Sequence, residues 1–222
     1  MLLDVDAQRE ATHFKNRVLD LVDIFIKKQP TSQHIIRVIL PLVDVIAGTG
    51  SDERQLADKA TGLLRNRLGK SKDLPSDIDS EEAMTVLDQL HERARRARSS
   101  EVLATLSQCS LYLSKVMLHS KAEDSVLRVY RGSLVDFITR KASTLNATFF
   151  HDFIRRYPAS GWSLGGNVID ASRQATNVYR QCQAFQLLHT IVNQIPALVR
   201  GTRHHFGFIL NIFHRRIGSR KS

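Results

Sequence analysis

The chain has 222 residues, 32 Lys and Arg against 22 Asp and Glu, and a formal net charge of +10, enough length for one substantial core and too little Gly or Pro for a fibrous or low-complexity chain. No apolar run reaches membrane-spanning length, and Met1-Leu2-Leu3 gives way at once to Asp4 and Asp6, so neither a secretory signal nor a spanning helix is expected. Cys109 and Cys182 stand far apart in helical patterns, which argues against a disulfide or a zinc site and for a soluble intracellular protein.

Taken in order, Phe14, Val18, Leu21, Val22 and Phe25 recur at helical spacing and predict a first helix with one apolar stripe. Lys27-Lys28-Gln29-Pro30 ends it, because Pro30 disfavours helix at Gln29 and Thr31 or Ser32 can cap the next helix. Ile35, Ile36, Val38, Ile39, Leu40, Leu42, Val43, Val45 and Ile46 leave that second helix almost no polar face. It is expected to be the buried spine, kinked at Pro41.

Ser51 or Asp52 opens a third helix with Leu56, Ala60, Leu63, Leu64 and Leu68 inside, and Gly69 stops it. Residues 70–79 are polar, contain Pro75 and lack periodicity, so they read as an exposed linker. Ser80 opens a helix with Glu81 and Glu82 in its first turn and runs to the basic end at Arg98. Ser99 or Ser100 begins the next, through Leu103, Leu106, Cys109, Leu113, Val116 and Met117, and 124–142 repeat the pattern. Asn146 caps a short aromatic helix with Phe149, Phe150, Phe153 and Ile154, which ends before Pro158; this is a better reading of Asn146-Ala147-Thr148 than a glycosylation site. Gly165-Gly166 precedes one long helix through Ala171, Val178, Cys182, Phe185, Ile191 and Val192, kinked or ended by Pro196, and 204–217 form a last amphipathic segment.

No strand-like alternation appears, so the fold is expected to be all-α, an irregular armadillo/HEAT-like stack of antiparallel helix pairs with roughly nine helices. The expected divisions are an N-terminal helical group 1–69, the linker 70–79, a second helical group 80–199 and a basic C-terminal segment 200–222.

Charge is unevenly placed. Residues 1–98 balance 16 acids with 16 bases, residues 99–145 hold 4 and 6, and residues 146–222 hold 2 and 10. Such asymmetry points to a polyanionic partner rather than to a fold. Within the tail, Arg200, Arg203, Arg215, Arg216, Arg220 and Lys221 come with no acid and are interleaved with Phe206, Phe208 and Phe213. They are the candidate nucleic-acid contacts, since cations neutralise phosphates and aromatics stack on bases, although solubility and core packing would use the same residues. Arg93, Arg95, Arg96 and Arg98 form a secondary basic patch, which a helix end favours whether or not a nucleic acid is near.

Catalytic signatures are missing: there is no G-x-S-x-G, no H-E-x-x-H and no phosphate loop, so no catalytic residue is assigned. No cofactor and no metal are expected, because His204, His205 and His214 stand among arginines without an acidic or thiolate partner, and Gly165-Gly166 lacks a preceding strand. Ser110-Leu111-Tyr112-Leu113-Ser114 superficially resembles the SLYPS motif of family B DNA polymerases, and Asp4-Val5-Asp6 resembles their aspartate pair. Both are set aside, since a two-metal site needs carboxylates on rigid strands.

A broader resemblance is more informative. His13-Phe14-Lys15-Asn16-Arg17-Val18-Leu19-Asp20-Leu21, Ile26-Lys27-Lys28-Gln29-Pro30, Leu56-Ala57-Asp58-Lys59, Phe153-Ile154-Arg155-Arg156-Tyr157-Pro158 and Tyr179-Arg180-Gln181-Cys182-Gln183-Ala184-Phe185, in this order and spacing, resemble the C-terminal part of the DNA polymerase phi/Myb-binding protein 1A family, called DNA polymerase V in fungi. The match runs from about His13 to about Val192. The resemblance implies a nuclear, mainly nucleolar protein with an armadillo-like fold, acting in ribosomal RNA gene transcription and ribosome biogenesis, with a polymerase name that does not describe its activity. It implies ribosomal DNA or RNA and nucleolar or transcription-factor proteins as partners, no membrane, and no catalytic residues. Family members are far longer, so the chain reads as a C-terminal piece or truncated product whose partners include the remainder of such a protein. A non-enzymatic scaffold is the first reading; a DNA polymerase and a purely protein-binding adaptor are the alternatives.

Overall fold

The computed structural model of the chain describes residues 2–48 and 53–196. The expected caps Ser51 and Asp52, the segment 204–217 and the whole basic segment 200–222 lie outside these residues.

Helix α1 spans Leu2–Lys28, starting well before the apolar stripe that announced it. After the turn at Pro30 the backbone forms a 3-10 helix, Gln33–Val38, and then α2, Ile39–Gly48. Ser32 supplies the cap, its hydroxyl oxygen accepting from the His34 N–H at 3.3 Å. Pro41, expected inside the second helix, falls two residues after the start of α2, just past the change from 3-10 to α geometry at Val38–Ile39. Pro41 therefore stands in a first turn, where an N–H would have no helical partner.

Helix α3, Arg54–Gly62, continues into a π turn, Leu63–Leu68, closed by the Gly69 N–H donating to the Leu64 carbonyl at 2.9 Å. A Cβ on Gly69 would lie 2.9 Å from the Arg65 carbonyl oxygen, so this close approach needs glycine. Helix α4, Ser80–Ala94, is capped by Asp79, which accepts from the Glu81 and Glu82 N–H groups. It stops four residues short of Arg98 because the backbone beyond it bonds elsewhere. Thr144 donates its hydroxyl to the Ala94 carbonyl and its N–H to the Arg95 carbonyl, while the Ala97 N–H donates to the Thr144 hydroxyl oxygen.

Helices α5, Ser100–His119, and α6, Glu123–Thr139, come next, with Ser99 capping α5. Asn146 caps α7, Ala147–Arg156, by accepting from the Phe149 N–H at 3.0 Å, as read from the sequence. A short helix, α8, Pro158–Ser163, was not foreseen; Pro158 is pre-set for a first turn. Its Gly161 packs against α7 so closely that a Cβ would meet Ile154 Cα at 3.0 Å. The long helix expected after Gly165 is two, α9, Gly165–Ser172, and α10, Val178–Asn193. The break forms because the Thr176 N–H donates to Ile138 O of α6 and Asn177 then caps α10 through the Arg180 N–H.

Successive helices pack as pairs, α2 on α3, α4 on α5 and α9 on α10, with α6 against α4 and α9 and α7 against α10. Among the described residues there is no strand, and the fold is an all-α stack. One contiguous core runs from Leu19 to Ile191.

The most enclosed element is α5 rather than α2. Leu40, Val45 and Ile46 of α2 stay partly exposed, whereas α5 buries Leu103, Leu106, Cys109, Leu113, Val116 and Met117 together with Thr105, Ser107, Ser110 and Ser114. Two of these hydroxyls are satisfied within the helix, Thr105 donating to the Glu101 carbonyl and Ser114 to the Ser110 carbonyl. A helix can therefore hide polar residues that make it look half-exposed in sequence. Burial also pushes the Cys109 thiol up to about 12, which leaves it unreactive.

Residues 70–79 are non-helical and most of them are exposed, but the segment is fastened: Pro75 is buried, Leu74 and Ile78 pack on the core, the Ser76 N–H donates to Thr31 O, and Lys115 donates to Ser71 O. One further expectation is corrected. The apolar stripe of α1 faces outward at Phe14, 69% exposed, and Leu21, 66% exposed, while Leu19 and Ile26 are 4% and 5% exposed. Polar contacts accompany this rotation. Lys59 reaches Asp20 at 2.7 Å and the Asn16 carbonyl at 3.0 Å, and Arg67 reaches Asp23 at 2.8 Å, holding that side of α1 against α3 and the π turn.

Candidate functional site

The six tail residues Arg200, Arg203, Arg215, Arg216, Arg220 and Lys221 lie outside the described residues. The secondary patch is placed, and most of it is engaged within the protein. Arg93 pairs with Asp44 at 2.7 Å, Arg96 pairs with Glu92 at 2.9 Å, and Arg95 pairs with Glu92 at 3.3 Å while donating to the Ser133 hydroxyl oxygen. Only Arg98 of the four is exposed and makes no ion pair among the described residues.

A different set of cations is brought together by the fold. Three open clefts of about 540, 330 and 350 Å³ adjoin one another, with Arg156 lining all three. They run from the π turn across α5 to the end of α7, and Arg65, Lys70, Lys72, Lys115, Arg155 and Arg156 line them. Among the described residues none of these six makes an ion pair within 4 Å, in contrast to Arg93, Arg95 and Arg96. Lys115 is fixed by donating to the Ser71 and Lys72 carbonyls, which ties the 70–79 segment to α5 and holds Lys72 at the cleft. Tyr157 ends α7 by donating to the Leu111 carbonyl at 2.8 Å, which fixes the position of Arg156 beside it.

The acceptors in these clefts are Asp58, Glu101 and Asp152, with the amides of Asn66 and Gln108 between them. The buried Tyr112 hydroxyl, under the cleft that Lys70 and Lys72 line, has no hydrogen-bond partner among the described residues. No run in the sequence announces this groove except Arg155-Arg156, because its cations come from three elements far apart in the chain.

The nearest approach to a nucleophile and base is His91 Nδ1 with Ser133 Oγ at 2.8 Å. Both side chains are fully buried, and Arg95 donates to the same Oγ, so the serine proton is directed to the ring and His91 is neutral. Burial, reinforced by Arg95, lowers the imidazole to about 3. The fully buried His91 ring packs edge-on to Tyr130 and Phe149. Ser110 and Ser114 of the polymerase-like run are buried within α5. Among the described residues no group of His, Cys, Asp and Glu could hold a metal ion, and no helix is long and apolar enough to cross a membrane.

Comparison with known proteins gives the chain its kin. It is 26% identical over 189 residues to the Myb-binding protein 1A-like protein of Danio rerio, covering 77% of this chain and 15% of that protein. It is 28% identical over 146 residues to the rDNA transcriptional regulator pol5 of Schizosaccharomyces pombe, covering 65% and 15%. Against Myb-binding protein 1A of Rattus norvegicus it is 24% identical over 213 residues, covering 79% and 16%. The chain thus corresponds to about 15% of the length of these relatives. No solved structure matches it. The family model described as Myb-binding protein 1A-like, TPR repeats, matches residues 29–202, and the chain belongs to that family.

Proposed function

We propose that this chain is a non-enzymatic scaffold of the nucleus, concentrated in the nucleolus, that serves ribosomal RNA gene transcription and ribosome biogenesis. It binds proteins through its helical surface and ribosomal DNA or RNA through Arg200, Arg203, Arg215, Arg216, Arg220 and Lys221. The observation that carries this reading is family membership, with one relative named as an rDNA transcriptional regulator and others as Myb-binding proteins. The excess of bases over acids in residues 146–222 supports the nucleic-acid part, since a polyanion is the partner that such a charge attracts. None of these relatives is named for catalysis, and purified protein with magnesium and a primed template is expected to give no extension.

The tail contact is tested by titrating single-stranded RNA against salt. The slope of log affinity on log salt is about −0.7 per neutralised phosphate, so about four engaged side chains give roughly −3. Removing residues 201–222 is expected to flatten that slope and disperse the protein from the nucleolus. Changing Arg93, Arg95, Arg96 and Arg98 to Gln is expected to change it less, because three of them are already paired. An unchanged slope in the deletion with a collapsed one in the four-fold variant reverses the assignment.

A further inference from the structure

The groove between the π turn, α5 and α7 is lined by five cations that form no ion pair among the described residues. Resting on the scaffold reading, we infer that it is a binding site for an extended, acidic segment of a partner protein. Arg65, Lys70, Lys72, Arg155 and Arg156 are exposed, lie around adjoining clefts and form no ion pair among the described residues. Lys115 is already committed to the Ser71 and Lys72 carbonyls and acts as a positioning residue. A carboxylate entering this groove gains charge-assisted hydrogen bonds without first breaking an internal salt bridge.

The other groups in the groove choose between polyanions. Asn66 and Gln108 each offer a donor and an acceptor, which suits the alternating N–H and C=O of a peptide backbone. Asp58, Glu101 and Asp152 can accept from the N–H groups that recur along a peptide backbone, whereas a nucleic-acid backbone carries no N–H, DNA having no donor along it and RNA only the 2′-hydroxyl. For base stacking these clefts offer, among the described residues, one half-buried ring, Tyr157, since Tyr112 is buried. A helical ligand would need an apolar floor, and the two clefts between the π turn, α5 and α7 that Gln108 lines are bordered mainly by charged and amide groups.

The experiment uses the full chain and a fluorescein-labelled glutamate-rich peptide read by anisotropy, with its glutamine counterpart and a single-stranded RNA of equal charge as competitors. Arg65→Gln with Arg156→Gln is expected to weaken peptide binding by about tenfold or more, the loss of two charge-assisted contacts. Arg93→Gln with Arg96→Gln, and Arg215→Gln with Arg216→Gln, are expected to leave it within about twofold. The glutamine peptide is expected not to compete, and RNA to compete only through the tail. Arg65 and Arg156 are exposed, and a second groove variant, Lys70→Glu, guards against a folding artefact.

Equal binding by the groove variants overturns the site, and RNA competing in a way that Arg65→Gln and Arg156→Gln abolish makes it a phosphate site instead. Crosslinking in nuclear extract separates this from the broader reading. If the double groove variant keeps every partner of the parent, the groove is wrong and the scaffold stands. If the parent captures no nuclear protein yet binds the peptide, the scaffold is wrong and the groove stands.

Discussion

At the scale of single residues, His91 shows how burial turns a titratable ring into a pH liability. Its folded pKa lies near 3 and its unfolded value near 6.5, so below 6.5 the unfolded chain binds a proton that the folded chain refuses. Stability is therefore complete above about 6.5 and falls by about 1.4 kcal/mol per pH unit as pH drops from there toward 3. His151, part-buried and hydrogen-bonded with the Thr190 hydroxyl at 2.9 Å, is also held low by burial and adds in the same direction. Carboxylates held below their ordinary range, such as Asp23 beside Lys27 and Arg67 and Glu53 beside Lys15, lose their contribution only under stronger acid, below about 4. Urea unfolding at pH 7 and pH 5 is therefore expected to show a drop that His91→Gln largely removes, even though that variant is less stable at pH 7. A parent chain equally stable at both values would mean that His91 is reached by water.

Among the elements, α1 is the sharpest case of a pattern that sequence states and tertiary contacts reorient. Its residues carry two apolar stripes about one residue's rotation apart, Phe14–Val18–Leu21–Phe25 and Leu19–Val22–Ile26, and periodicity alone cannot rank them. The structure ranks them by burial, Leu19 and Ile26 facing inward, and the polar set Asn16, Asp20 and Asp23 meets Lys59 of α3 and Arg67 of the π turn in the same orientation. Leu19→Ala and Ile26→Ala are each expected to cost about 2–4 kcal/mol, whereas Phe14→Ser and Leu21→Ser shift stability by about 0.5 kcal/mol or less. Comparable losses at Phe14 would show that its face is covered. The same limit explains the rest of what the sequence hid. The helix after Asn146 is legible from its cap and the one from Ser80 from its acidic first turn; the break at Thr176 depends on a carbonyl of α6, and the end of α4 on Thr144, both distant in sequence. The groove was hidden for that reason too, since Arg65, Lys72 and Arg156 are neighbours only after α5 has folded between them.

For the molecule as a whole, the open question is whether the groups 1–69 and 80–199 unfold separately across residues 70–79, the division proposed from composition. The segment has no helix and few apolar residues, which alone would make it the first site of proteolysis. Against that stand its fastenings: buried Pro75, Leu74 and Ile78 on the core, the Ser76 N–H on Thr31, and Lys115 on Ser71. The core also passes beneath it without a gap, from the α2–α3 pair through the π turn into α5. Cooperativity tracks contiguous burial rather than chain continuity, because local opening is cheap only where few apolar contacts are lost. A single thermal transition is therefore expected, with residues 70–79 protected until the whole stack melts. Leu74→Ser with Ile78→Ser is expected to release the segment, so that trypsin cuts at Lys70 or Lys72 while the helices on either side still give a folded circular-dichroism signal. Early cleavage of the parent chain at these lysines, with two calorimetric transitions, would instead establish two units. The groove would then bridge them, since Arg65 and Arg156 stand on opposite sides of the division and close on one ligand only if the stack behaves as one body.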